Sequence, residues 1–159
     1  MAESDLHKLL CKKGASWFRS KGFPIAAPGI STHWTKEKPD VVSFRSNCSA
    51  IIECKTTRGD FLADAKKPFR SSGGVGTYRF YLCPVDLIKI DELPLGWGLL
   101  YFDGKKVIEV VCPMGNLWPH QNSSDSLWDH FKHPSDVWVE RSMMFALMRR
   151  MAQGEGVHL

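Results

Sequence analysis

Two short apolar runs constrain this chain most. Val41-Val42-Ser43-Phe44 and Ala50-Ile51-Ile52 are separated by Arg45-Ser46-Asn47-Cys48-Ser49, which are mostly turn-formers. β-Branched and aromatic residues bounded in this way form strands, and the spacing predicts a β-hairpin centred near Asn47. Three ionisable groups close its open end: Asp40 before the first strand, Glu53 and Lys55 at the end of the second. In an antiparallel hairpin paired residue numbers have a constant sum, here about 94, which sets Asp40 opposite position 54. Glu53 and Lys55, two apart on a strand, share one face. A shift of one residue decides whether Asp40 joins that face, and the sequence leaves this parity open.

Two carboxylates that converge repel each other unless a cation lies between them. Their hard oxygens suit Mg²⁺ or Mn²⁺. A lysine beside them can orient a water or neutralise charge on a phosphate. The bland alternative is a cross-strand charge cluster at a sheet edge.

Pro39-Asp40 followed by Glu53-Cys54-Lys55 resembles the D…ExK core of the PD-(D/E)xK nuclease superfamily. The resemblance continues through Thr56-Thr57, through Asp60-Phe61-Leu62-Ala63-Asp64-Ala65-Lys66-Lys67-Pro68-Phe69-Arg70 and through Tyr78-Arg79-Phe80-Tyr81-Leu82-Cys83-Pro84. It is similar there to small restriction-endonuclease-like proteins of the MmcB type and of phages. It covers Pro39 to Pro84 well and the flanks loosely. The resemblance implies an α/β fold with a three-layer restriction-endonuclease-like core, a mixed central sheet flanked by helices. It also implies Mg²⁺-dependent hydrolysis of phosphodiester bonds, with Mn²⁺ as a substitute. The substrate would be DNA, with RNA left open, in repair, recombination or phage DNA metabolism.

On the same resemblance Asp40, Glu53 and Lys55 are catalytic. Asp40, Glu53 and the backbone carbonyl of Cys54 hold the metal, and Lys55 positions the attacking water. Arg58, Lys66, Lys67, Arg70 and Arg79 become candidate nucleic-acid contacts. Glu37, Asp60 and Asp64 are candidate acids behind the metal ligands, although Glu37 also reads as an exposed loop charge and Asp60–Asp64–Lys67 as a helical charge ladder. In this superfamily the first helix often adds an acidic ligand; here Glu3 and Asp5 are the acids on offer, and both sit poorly at its start. Two other readings compete. One is a DNA-binding module without chemistry, though such members usually lose an acid or the lysine. The other is a protein-interaction role through a methionine-bearing helix.

A length of 159 residues predicts one domain, with its core at about 36–112 and a C-terminal loop and helix over 113–153. With 43% hydrophobic residues the chain can build a real core, and no apolar run approaches the roughly 18 residues of a membrane helix. Met1-Ala2-Glu3-Ser4-Asp5 lacks the basic-then-apolar pattern of a secretory leader. Five cysteines without a Cys-x-x-Cys pair favour a reducing, cytoplasmic setting. A net charge of +4 permits nucleic-acid binding without demanding it. Lys8, Lys12, Lys13, Arg19 and Lys21 crowd the N-terminal segment, where the bland reading is a solvated face. Oligomeric state is open; a homodimer would suit double-strand cleavage.

The remaining elements read as follows. Ser4 caps a helix running to about Lys21 and closed by Gly22. Residues 23–34 form a broken edge strand or loop. Asp60 caps a short helix that Pro68 ends. Residues 71–76 form a mobile glycine-rich loop at the mouth of the site. Tyr78–Cys83 lies beside the Glu53 strand. Trp97–Phe102 and Lys105–Val111 form a hairpin with a type I′ turn at Asp103-Gly104. His120, His130 and His133 have no zinc-site spacing with Cys112. Asp136 caps a last helix that buries Val137, Met144, Leu147, Met148 and Met151.

Overall fold

A computed structural model of the chain describes residues 4–32, 37–67, 73–114 and 129–154. Helix α1 spans Asp5–Ser20. Three strands follow, β1 (Ile25–Pro28), β2 (Val41–Phe44) and β3 (Ser49–Cys54). Helix α2 (Arg58–Asp64) leads to β4 (Tyr78–Pro84), β5 (Trp97–Phe102), β6 (Val107–Val111) and helix α3 (Val137–Ala152). A single 3₁₀ turn, Ile90–Glu92, lies in the β4–β5 connection. The architecture is α/β, and the six strands form one mixed sheet in chain order. Pairing is antiparallel from β1 to β3, parallel from β3 to β5, and antiparallel again at β6.

Strand alternation builds two cores. Val41, Ile52, Phe80 and Leu82 face α1 and pack against its Leu10, Trp17 and Phe18. Val42, Ile51, Tyr81 and Leu99 face the other way, toward Phe61 of α2 and Val139, Met143 and Leu147 of α3. Strand β3 is buried along its whole length because both faces are covered. Gly14 lets α1 sit close to the sheet, where an added Cβ would lie 3.1 Å from Ile52 Cδ1. No helix of the described residues is long and apolar enough to cross a membrane.

Several sequence expectations need correction. Helix α2 begins at Arg58 with Thr57 as its cap, whose Oγ1 accepts from Asp60 N at 3.2 Å, so Asp60 is not the cap. The β5–β6 loop spans 103–106 rather than two residues. Gly104 is its sole positive-φ residue, whereas a type I′ turn needs two; Asp103 Oδ1 organises the loop by accepting from Lys105 N and Lys106 N.

Helix α3 has the expected cap, Asp136, and buries Leu147 as expected, but the rest of its buried stripe is Val139, Glu140 and Met143. Val137 and Met148 are 68% and 65% exposed, because the face that meets the sheet lies about 100° around the helix from the one the methionines suggested.

Residues 73–76 are pinned. Val75 N donates to Glu37 Oε2 and Gly76 N to Glu140 Oε1, each at 2.9 Å. They lead into the start of β4, where Thr77 N donates to Ser49 Oγ at the start of β3, so they stand at the opposite end of the sheet from Glu53. Glu37 is accordingly buried at 3% exposure and not a loop charge. Glu3, Arg70, Trp118, His120 and Trp128 lie outside the described residues.

Candidate active site

The hairpin register settles the parity at the open end. Val41 pairs with Ile52, so the next step outward sets Asp40 against Glu53. The constant sum is one lower than a centre at Asn47 implies. Asp40 itself lies in a bend outside the ladder. Its carboxylate turns across the end of the sheet, where Oδ2 accepts from Cys54 N at 2.8 Å and Oδ1 lies 3.3 Å from His7 Nε2 of α1. It therefore stands between the two faces. The carboxylate takes over a backbone donor that the end of β2 would otherwise leave unpaired.

Behind Asp40 the groups are nearly dry. Glu53, Lys55 and Asp64 are 4%, 7% and 1% exposed. Lys55 Nζ lies 3.2 Å from Asp64 Oδ1 and 3.8 Å from Glu53 Oε2. Asp64 Oδ2 accepts from the Tyr81 hydroxyl at 2.6 Å, and Lys67 Nζ reaches Oδ1 from the next turn at 3.1 Å. Tyr81 pairs with Glu53 in the parallel β3–β4 ladder, so the hydroxyl that fixes Asp64 comes from the strand beside Glu53. Buried charges persist when they are paired and hydrogen-bonded, which is what this arrangement supplies. Asp40, Glu53, Lys55, Asp60, Asp64 and Lys67 line one open cavity of about 300 Å³ together with His7 and Lys38.

The structure separates the other sequence candidates. Arg58 lies outside this cavity and forms a fork with Glu92, with bonds of 2.7 and 2.6 Å, plus a bond to Leu87 O. That pairing raises the guanidinium's pKa and holds the Glu92 carboxyl down at about 2. Lys66 is exposed and turned away from the cavity. Arg79 is corrected: it is 2% exposed and donates to the carbonyls of Gly76, Gly73 and Pro134, so it braces the β4 start and cannot meet a nucleic acid there. Tyr78 and Tyr81 are both buried, so neither ring is open to stack on a base. Arg70 lies outside the described residues.

His7 had no place in the sequence reading. Its position four before Cys11 on α1 was the available signal, since residues so spaced share a face. Ligand atoms of His7, Cys11 and Asp40 lie within 4.8 Å of one another, the one such grouping found among the described residues. The imidazole, however, points its two nitrogens at different partners, Nδ1 at Cys11 Sγ (3.7 Å) and Nε2 at Asp40 Oδ1 (3.3 Å). That is a hydrogen-bonded chain rather than three donors aimed at a common centre. Cys54, behind it, is buried, and burial together with the Cys11 contact pushes its thiol pKa up.

Mg²⁺ prefers carboxylate oxygens, and the donors around the cavity are carboxylates backed by ammonium groups rather than thiolates. The acids lining the cavity are of the donor type that suits a hard divalent cation. The contact recorded at Cys54 is its N–H on Asp40, not its carbonyl.

No protein-family model and no curated protein matches the chain. Among solved structures it is similar to SPO1766, a protein of unknown function from Silicibacter pomeroyi, with a TM-score of 0.61 and 19% identity over 99% of each chain. That likeness is one of fold alone.

Proposed function

We propose that this protein is a divalent-metal-dependent phosphodiesterase acting on nucleic acid, DNA in the first instance, built on a restriction-endonuclease-like core. One observation carries the reading: Asp40, Glu53, Lys55 and Asp64 line a single open cavity at one end of the sheet. Further support comes from the order α1, β1–β3, α2, β4, which brings the end of β3 and one side of α2 to that cavity.

Asp40 and Glu53 would hold the metal. When bound, that ion supplies Lewis acidity at the phosphate and a more acidic water. The remaining work falls to the chain. Asp64, fixed by Tyr81, holds the Lys55 ammonium at the cavity floor. From there Lys55 orients the attacking water and counters charge growing on the phosphate. As the water oxygen bonds to phosphorus it gives up a proton, the ester P–O bond breaks, and the departing oxygen takes up a proton in its place. Cys54 N–H fixes one oxygen of Asp40, which orients the other.

The test is cleavage of single-stranded, double-stranded and branched DNA with Mg²⁺, Mn²⁺ or EDTA. Wild type should cut only with metal, and Asp40→Ala or Glu53→Gln should lose at least about a hundredfold, as expected when a group that stabilises the transition state is removed. Identical behaviour of wild type and Asp40→Ala under every metal would sink the reading. Binding without cleavage would favour a non-catalytic DNA module.

A further inference from the structure

We propose that a second cleft, running along α1 and opening into the acidic cavity at Asp40, carries the sugar–phosphate backbone of the substrate strand. This rests on the phosphodiesterase reading and names the surface that feeds it. Lys8, Lys12, Ala15 and Arg19 recur at helical spacing, so they form one stripe on α1 about 16 Å long. The opposite side of the helix is locked into the core by Leu10, Gly14, Trp17 and Phe18, which fixes the direction of the stripe. Pro28 and Gly29, at the end of β1, form the facing wall with Lys38. Gly29 takes a positive φ of 56° and donates its N–H to Asp40 O at 3.1 Å; a Cβ there would sit 3.4 Å from Lys38 Cε.

The cleft holds about 690 Å³, more than twice the acidic cavity, and the two share Lys38 and Asp40. Of the described residues lining it, four are cations, and Asp40, at the junction, is the one acid. Among the described residues no carboxylate lies within ion-pair distance of Lys8, Lys12 or Lys38. By contrast, Lys21 pairs with Glu109, Arg58 with Glu92 and Lys67 with Asp64. Exposed ammonium groups without acidic partners in a groove create a field that draws a polyanion. Among the described residues no aromatic ring lines the cleft. Contacts from cations to phosphates position a strand and carry no sequence information.

The test is fluorescence anisotropy of wild type, Lys8→Gln/Lys12→Gln and the equal-charge control Lys89→Gln/Lys106→Gln. Fluorescein-labelled single-stranded and duplex oligonucleotides are titrated in EDTA over a salt series. The cleft variant should lose about 0.7 per lysine from the log–log salt slope on single strands, or about 0.9 on duplex. The control should match wild type. An unchanged slope in the cleft variant overturns the proposal, as does a wild type that binds neither oligonucleotide. Hydrolysis of bis-p-nitrophenyl phosphate, too short to reach along α1, reports the acidic cavity separately. Turnover with cleft-independent binding removes the cleft alone. Cleft-dependent binding with no metal-dependent turnover of that reporter or of DNA removes the hydrolytic reading and leaves the cleft.

Discussion

Lys55 Nζ lies 3.2 Å from Asp64 Oδ1, joining the residue that follows β3 to the last turn of α2. Both side chains are almost wholly buried, so Asp64 is the nearest counter-charge of the Lys55 ammonium, while Lys67 and the Tyr81 hydroxyl share in holding Asp64. The cation that the converging acids of this chain require is thus supplied in part by the chain itself.

Asp64→Ala should therefore destabilise the fold by about 3 kcal/mol, the low end for breaking a buried pair, because Glu53 still stands near the ammonium. The Tyr81 hydroxyl would also lose its acceptor. Asp64→Asn keeps an acceptor for Tyr81 and should cost less. Urea unfolding measures both; coincident midpoints for wild type and Asp64→Ala would contradict the pairing.

Acid should weaken the fold through His133. Burial, with the nearby Arg79 charge, lowers its pKa below 6.5, and the bond between Nε2 and Gly96 O only partly offsets this. The unfolded chain then takes up the proton more readily than the folded one. Stability is complete above about pH 6.5 and falls as pH drops below it. His133→Gln should flatten the melting temperature between about pH 7 and pH 5 relative to wild type. An unaltered pH profile would show that His133 does not carry this loss.

Gly98 faces Phe80 in the β4–β5 ladder, and an added Cβ would strike that ring and lie 2.8 Å from Val111 O. The strand has no slack there, since both neighbours are sheet residues. Gly98→Ala should cost about 3 kcal/mol, the upper part of the range for overpacking, and lower the melting temperature by roughly 6–12 °C for a chain this size. A melting temperature within a degree of wild type would contradict the clash.

Glu140 ties α3 to the sheet. Its Oε1 accepts from Ser49 Oγ at 2.5 Å and from Gly76 N at 2.9 Å. Glu140→Ala should cost about 2–3 kcal/mol, because two buried donors lose a charged acceptor. Hydrogen exchange of the Gly76 amide should accelerate in parallel, and Glu140→Gln should recover part of the protection. Exchange at Gly76 that ignores the substitution would show that the bond is not what holds the loop.

Much of the local structure was legible in the sequence. Ser4, Lys21 and Gly22 bound α1 as their side chains and φ preferences require. Turn-formers between two apolar runs produced the β2–β3 hairpin, within one residue of the expected register. Asp40, Glu53 and Lys55 belong to that local pattern, which is why they could be named together; Asp64 joined them only through the resemblance. Such features depend on neighbours a few residues apart, so the order of residues alone determines them.

What the order of residues could not decide is which side of an element meets the sheet and what lies across from it. Helical period is visible in α3, but its phase depends on the partner face, and flexible methionines fit inside or outside equally well. Arg79 and Lys8 look alike as basic residues. One is consumed by three backbone carbonyls at the far end of the sheet, while the other lines an open cleft. His7 meets Asp40 because α1 lies across the β2–β3 end, a contact spanning 33 residues. Burial and long-range pairing decide whether a charge is structural or open to a ligand, and only packing in three dimensions sets either.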